Sequence, residues 1–253
     1  RRNIMRKTLA VFSVSILSIA VATASLAGAS PKRILIYGDS NAFGWAKDAQ
    51  GTVYRLPSDV RWPEKMGGLL GKNYEVIVEA LGGRTTNIDC GPKSGPGIVP
   101  GAGLDGAAYL PAALASHMPL DMVVIWLGSN DLMVQHNRKA LDIAAGIAQL
   151  TSIVKNGGWQ QRTGYQTPKV MIVCPSKIAA QKGKNKERFA GAKERVEELQ
   201  AILPDLAKAA HGYYFDVNTV VPYAQGADEI HYTPENHDAI AKAMTREIKK
   251  VFK

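Results

Sequence analysis

Short apolar runs alternate with longer amphipathic stretches along most of this 253-residue chain. Five of these runs have the length of a β-strand and are rich in aliphatic and aromatic side chains. They are Arg33–Tyr37, Tyr74–Ala80, Asp121–Gly128, Lys169–Pro175 and Tyr213–Val217. Helical periodicity marks four further stretches, Trp62–Leu70, Lys139–Lys155, Lys186–Ala210 and Pro234–Phe252. Strands separated by helices favour parallel βαβ units, so we predict one α/β domain, a three-layer α/β/α sandwich with a five-stranded parallel sheet.

Three local features refine this picture. Pro204 is expected to break the third helix, whereas Thr233 and Pro234 predict a capped start for the last one. The stretch Cys90–Gly106 is rich in glycine and proline, so we expect no regular element there. It follows the second strand, at the edge where parallel sheets bind ligands, and long connections of this kind are usually functional or mobile.

Residues 1–29 differ from the rest. Four basic residues precede an uncharged apolar run from Leu9 to Ala27, which ends in small side chains. This pattern is typical of a secretory signal peptide, so we predict export to the periplasm or the medium and a mature domain of residues 30–253. An uncleaved membrane anchor is the alternative, because the run approaches spanning length. Cleavage is favoured because Ser and Thr dilute the run, and no stable membrane insertion is then expected.

Charge and cysteine content narrow the function classes. The formal charge falls from +9 to +5 without residues 1–29, which hold four basic residues and no acidic one. No aromatic-interleaved basic motif accompanies the lysine-rich stretches, so we do not expect nucleic-acid binding. Two cysteines, Cys90 and Cys174, cannot form a disulfide framework, and two thiols are favoured over one bridge. The sequence leaves the oligomeric state open, a homo-oligomer included.

Motifs for cofactors are weak or absent. The letters GAGLDG at Gly101–Gly106 fit a dinucleotide fingerprint, but a glycine- and proline-rich loop precedes them instead of a strand. Neither His-Glu-x-x-His nor Cys-x-x-Cys occurs, so we expect no cofactor and no metal. The elbow Gly-x-Ser-x-Gly is also missing, which argues against the α/β-hydrolase family.

The first predicted strand runs directly into Gly38-Asp39-Ser40. This tripeptide is compatible with a simple capped turn or with a serine nucleophile at the sheet edge. Acyl transfer by a serine needs a base, a group that orients the base, and donors for the developing oxyanion. The remaining strands must therefore supply these partners.

Candidate partners follow three other strands. Gly82-Gly83 comes after the second, Asn130 after the third, and His231 after the fifth, three residues beyond Asp228. Each one alone could belong to an ordinary turn. Because the carboxyl ends of parallel strands lie at one edge, a nucleophile, two donors and a base would meet there. This convergence predicts a site for acyl transfer.

These blocks resemble the SGNH (GDSL-type) hydrolases in order and spacing, over Arg33–Phe252. The segments Arg61-Trp62, Gly82–Asp89 and Tyr109–Asp121 are similar to the arylesterase/acyltransferase branch. The resemblance implies a flavodoxin-like topology. It also implies that Asn41 stands where leucine is usual after the serine, a change expected to affect packing more than chemistry.

The resemblance also implies a role for each site residue. Ser40 would be the nucleophile, His231 the general base and acid, and Asp228 the residue that orients His231. The oxyanion would be bound by the N–H groups of Ser40 and Gly83 and by the side chain of Asn130. We expect further substrate contacts from residues close to these in sequence: Asp39, Trp45, Asp131 and Ile230.

We therefore expect an exported serine esterase, and the resemblance implies that it acts on small carboxylic esters and passes the acyl group to water or another acceptor. We expect a preference for short acyl chains, because the Cys90–Gly106 loop has few large apolar side chains to form a tunnel. The alternatives are a polysaccharide O-acetylesterase or a lysophospholipase/thioesterase of the same family. A catalytically inactive binding module is the alternative of a different class.

Overall fold

A five-stranded parallel sheet forms the centre of the fold. In the computed structural model its strands are β1 (Lys32–Gly38), β4 (Tyr74–Ala80), β5 (Met122–Trp126), β6 (Lys169–Cys174) and β7 (Tyr213–Asp216). The structure describes residues 30–48, 50–91, 99–178, 180 and 182–253. The predicted signal peptide and residues 92–98 of the glycine- and proline-rich loop lie outside the described residues.

The strands lie in the order β4-β1-β5-β6-β7, and every neighbouring pair is parallel. The order reverses direction at β1, so the carboxyl ends of β1, β4 and β5 adjoin each other at the switch point. The predicted flavodoxin-like topology is confirmed. The four segments that carry the candidate site residues therefore start from one edge of one sheet.

Helices cover both faces of the sheet. The larger ones are α2 (Trp62–Leu70), α3 (Gly106–His117), α4 (Ala140–Lys155), α7 (Ala192–Ala209) and α8 (Pro234–Val251). Alternate residues of β1 enter different layers: Leu35 and Tyr37 pack with α3, α4 and α7, whereas Ile34 and Ile36 pack with α2 and α8. All four side chains are fully buried. The three-layer sandwich follows from this two-sided burial.

Pro204 does not break the third predicted helix, contrary to expectation. It lies inside α7, which runs on because Val196, Leu199, Leu203 and Ala207 keep one continuous apolar face against the sheet. Burial of that face offsets the cost of about 3 kcal/mol for a helical proline. The interruption falls earlier, at Gly191, whose φ of 70° separates α7 from the short helix α6 (Gly183–Arg188).

Several elements were not predicted. Among the described residues they are α1 (Ser40–Phe43), α3, α5 (Trp159–Thr163), the antiparallel hairpin of β2 (Trp45–Lys47) and β3 (Val53–Arg55), and three 3₁₀ turns. One of these turns, Gly101–Leu104, lies in the stretch expected to lack regular structure. The helix α3 was missed because Pro111 and the preceding glycines conceal it, although Asp105 caps it by accepting from the Ala108 N–H.

The described residues bear on two further expectations. Cys90 and Cys174 are not joined by a disulfide. Among the described helices, none is both long and apolar enough to cross a bilayer.

His237 on α8 links that helix to α2 in the core. Its Nδ1 accepts a hydrogen bond from the Trp62 N–H at 3.1 Å, and the side chain is fully buried. Burial, and then repulsion by His231, Arg61 and Lys65, lowers the pKa of His237 to about 4. The folded chain thus keeps this imidazole neutral at pH values where an exposed histidine is charged.

We expect the free energy of unfolding to fall as the pH drops from about 6.5 towards 4, because only the unfolded chain then protonates His237. The loss reaches about 3 kcal/mol below pH 4. His237→Asn keeps an oxygen acceptor for Trp62 and should remove this part of the pH dependence in denaturant unfolding at pH 7 and 4.5. Burial raises the pKa of Asp39 to about 6, which changes the stability with pH in the opposite direction. Because the wild type and His237→Asn both contain Asp39, this contribution cancels when the two are compared. Equal losses in both proteins would contradict the assignment.

Candidate active site

Ser40 stands at the carboxyl end of β1, on the first turn of α1. The side chain of Asp39 caps this turn by accepting a hydrogen bond from the Asn41 N–H at 2.9 Å. Gly38 is required by close approach, since a Cβ there would lie 2.6 Å from the Cβ of Ala42. The tripeptide therefore does two things at once: it makes a tight strand-to-helix turn and leaves Ser40 at the sheet edge, 8% exposed.

His231 connects Ser40 to Asp228. Its Nε2 lies 3.0 Å from Ser40 Oγ, and its Nδ1 lies 2.6 Å from Asp228 Oδ2. Since the carboxylate can only accept, Nδ1 carries the proton and donates to it. Nε2 is then the acceptor for the Ser40 hydroxyl, which is the tautomer that a general base needs.

A tight turn holds Asp228 and His231 in register. Asp228 Oδ1 accepts from the backbone N–H groups of Ile230 at 3.1 Å and His231 at 3.0 Å. The Gly226 N–H donates to the His231 carbonyl, and Glu229 takes a left-handed φ of 62° between them. The three-residue spacing seen in the sequence thus closes into one turn.

The Asp228 carboxyl stays ionised. Burial raises its pKa, but the hydrogen bond and charge of His231, with the backbone N–H groups of His231 and Ile230, outweigh burial and hold the pKa below its usual range. A permanently charged carboxylate can stabilise the imidazolium that forms when His231 takes a proton.

Gly83 and Asn130 line the same cavity as Ser40, which has a volume of about 470 Å³. Gly83 has a φ of 86°, which is available to glycine but strained for other residues. One amide hydrogen of Asn130 is used, since Nδ2 donates to the Arg84 carbonyl at 3.0 Å. The second hydrogen of this Nδ2 group remains for a ligand, so two donors of different kinds border the cavity.

Arg84 is a site residue that the sequence reasoning missed. It is 3% exposed, and its Nη1 donates to the carbonyls of Gly38 at 3.2 Å and Glu79 at 2.6 Å. Its guanidinium also lies 4.4 Å from the ring centre of Tyr37. The turn after β4 is therefore fixed to the end of β1. Nothing in the local pattern distinguishes this arginine from an exposed one.

Trp45 and Ile230, two of the expected substrate contacts, line the same cavity as Ser40 and His231. The indole of Trp45 lies against Gly82, where a Cβ would come within 2.4 Å of its Nε1. The remaining lining residues are Val53, Arg188 and Phe189, together with the glycines and Asn130 already described. The cavity wall is mostly apolar.

Asp39 and Asp131 are not among the residues that line this cavity, and their contact with substrate stays a prediction. Asp39 is 1% exposed and caps α1. Asp131 is fully buried, and its carboxylate accepts hydrogen bonds from the Thr86 N–H, the Thr86 hydroxyl and Arg138. Buried carboxylates require such partners, and these contacts hold in place the turns that carry both residues.

A metal site is not evident in the part of the chain that the structure describes. Within it, no three His, Cys, Asp or Glu side chains lie close enough together to hold an ion.

Residues 36–239 match the model of the GDSL-like lipase/acylhydrolase family. The chain therefore belongs to that family, and the SGNH assignment from the sequence is confirmed.

Similar solved structures include the aryl esterase of M. smegmatis, with 36% sequence identity and a TM-score of 0.78, covering 87% of this chain and 99% of that one. Another is Est24, a carbohydrate acetylesterase from Sinorhizobium meliloti, with 32% identity, a TM-score of 0.79 and the same coverage. No curated protein matches the chain.

Proposed function

We propose that this protein is an exported serine esterase that hydrolyses small carboxylic esters through an acyl-enzyme on Ser40. One observation carries the proposal: Ser40, His231 and Asp228 form a continuous hydrogen-bonded chain that opens into a cavity. Family membership and the esterase relatives support the same reaction class.

In the proposed mechanism, His231 Nε2 takes the Ser40 proton while Oγ attacks the ester carbonyl carbon. The carbonyl oxygen becomes an oxyanion, bound by the N–H groups of Ser40 and Gly83 and by the Asn130 amide. The imidazolium then donates its proton to the alcohol oxygen as the carbon–oxygen bond breaks. Water repeats the sequence on the acyl-enzyme, with His231 as base, and releases the acid and free Ser40.

Asn130→Ala is expected to lower kcat by roughly 10²–10³, because one donor to the oxyanion is lost. The KM should change little, since this hydrogen bond strengthens only in the transition state. Steady-state kinetics with 4-nitrophenyl acetate measures both values. Asn156→Ala, which alters an exposed amide at the end of α4, is the matched control. A tenfold rise in KM at unchanged kcat would contradict the donor role.

We expect acetyl and butyryl esters to be hydrolysed faster than esters of long-chain acids. Each CH₂ gains about 0.8 kcal/mol only where an apolar wall covers it, and the wall here consists mainly of Trp45, Val53, Phe189 and Ile230. A series of 4-nitrophenyl esters from acetate to palmitate, each measured below the KM, tests the proposed function and this preference together. Faster turnover of palmitate than of acetate would reverse the assignment of acyl size.

Deacetylation of carbohydrates is the second candidate, and the similarity to Est24 favours it. Acyl transfer to an alcohol is a further proposal from the resemblance to the arylesterase/acyltransferase branch. Acetylated oligosaccharides added to the ester series test the deacetylation of carbohydrates. Product analysis with and without an alcohol acceptor tests acyl transfer.

Export is proposed from the basic and apolar pattern of residues 1–29. Expression of the full chain in a Gram-negative host, followed by fractionation and N-terminal sequencing, tests it. A protein found in the cytoplasm with residues 1–29 intact would contradict this part of the proposal.

A further inference from the structure

A second cavity, of about 930 Å³, adjoins the candidate active site. Arg188 lines both cavities, and Asp228, which lines the second, is hydrogen bonded to His231 of the first. Four cationic side chains border the second cavity: Lys47, Lys182, Lys184 and Arg188. We call it the cationic cavity.

The wall of the cationic cavity carries more positive than negative charge. Among the described residues, none of the four cations makes a salt bridge with a carboxylate. Two carboxylates share the wall, so four positive charges stand against two negative ones. Asp228 is hydrogen bonded to His231, and Glu229 accepts a hydrogen bond from the Lys182 N–H at 3.3 Å. The cavity therefore presents an excess of positive charge to a ligand.

The segment that carries three of these cations is tied to the turn of His231. Asn185 Nδ2 donates to the Asp228 carbonyl at 3.0 Å, in addition to the contact between Lys182 and Glu229. Phe189, which follows Arg188, is 6% exposed and packs into the core. Arg188 itself donates from Nε to the sulfur of Met133. The segment and the Arg188 guanidinium thus have a defined position relative to the His231 turn.

The alcohol part of an ester must lie on the side of His231. During acylation its oxygen accepts the proton from His231 Nε2, so it cannot point away from that ring. The residues that precede His231, from Ala224 to Glu229, form one wall of the cationic cavity. An alcohol too large for the first cavity would therefore extend past Arg188 into the second.

We propose that the cationic cavity binds a carboxylate carried by the alcohol part of the ester, and that Arg188 is the main specificity residue. Uronic acid sugars and hydroxybenzoates are alcohols or phenols of this class. A planar guanidinium suits a carboxylate because it can donate two parallel hydrogen bonds. This inference rests on the proposed esterase function and adds the class of the leaving group.

The test compares 4-acetoxybenzoate with its neutral methyl ester, by the ratio of their kcat/KM values. Arg188→Ala is expected to lower this ratio by about three- to tenfold, as for an ion pair open to water. Arg188→Lys should keep part of the preference, because the charge remains while the two-pronged geometry is lost. Raising the NaCl concentration from 20 to 500 mM should lower the wild-type ratio and leave that of Arg188→Ala nearly constant.

Lys186→Ala is the matched control, because Lys186 lies on the same short helix but lines neither cavity. It should leave both the ratio and the activity unchanged. Equal ratios in wild type and Arg188→Ala would overturn the inference, provided that the neutral ester is hydrolysed. If the wild type hydrolyses neither of the two esters, that result would instead overturn the proposed function.

A separate experiment with 4-nitrophenyl hemisuccinate and its methyl ester tests whether Arg188 acts on a charge carried by the acyl group. Here the negative charge is on the acyl group, so Arg188→Ala should leave the ratio of the two esters near the wild-type value. A loss confined to the hemisuccinate would overturn the assignment to the alcohol side.

Discussion

Replacing Ser40 with alanine is expected to lower kcat for ester hydrolysis by roughly 10⁴- to 10⁶-fold. No other hydroxyl is hydrogen bonded to His231 Nε2 among the described residues, so the acyl group would have no acceptor. Steady-state kinetics with 4-nitrophenyl acetate measures the effect on kcat. Thermal unfolding of the variant shows whether the fold is intact.

Ser152→Ala is the matched control, since Ser152 is an exposed serine on α4. A fluorophosphonate probe provides a readout that does not depend on the choice of ester. It should label the wild type and the control but not Ser40→Ala. Labelling of all three proteins would remove Ser40 from the mechanism, and labelling of none would favour the inactive binding module.

Asp228→Asn is expected to lower kcat by about 10²- to 10⁴-fold with little loss of stability. The asparagine oxygen can keep the two backbone hydrogen bonds from Ile230 and His231. Its amide would then donate to Nδ1, which forces the proton onto Nε2 and leaves no lone pair for the Ser40 hydroxyl. The defect should therefore appear in kcat and in the rate of fluorophosphonate labelling.

Asp238→Asn is the control for this variant, because Asp238 makes only surface salt bridges to Lys65 and Lys242. Full activity in Asp228→Asn would contradict the tautomer assigned to His231. Loss of activity in both variants would indicate a general effect of charge.

The sequence predicted the sheet and the meeting of Ser40 with His231 for a topological reason. Apolar runs identify strands locally, and parallel connections then place every strand end at one edge. Residues separated by 191 positions could thus be brought together without knowledge of any contact. The match of α2 to its predicted bounds rests on the same local periodicity.

Burial of charged side chains was the part that sequence could not supply. Asp131 and Asp39 resemble solvent-facing turn residues in the sequence, yet their carboxylates serve backbone and side-chain donors inside the domain. Arg84 is similar. Whether a charged group faces water depends on partners from distant segments, such as Arg138 for Asp131, and no local pattern encodes those partners. Pro204 was misjudged because tertiary packing outweighed its local cost.

The contacts of Arg84 hold the residues around Ser40 in place independently of the rim of the cavity. Its guanidinium joins the end of β1, just before Ser40, to the turn that carries Gly83, and its carbonyl accepts from the Asn130 amide, whereas the cavity rim comes from the β2–β3 hairpin and the end of α6. Mutations in the rim can alter which esters enter without moving the reacting groups. New substrate ranges can therefore evolve, or be engineered, on an unchanged catalytic frame.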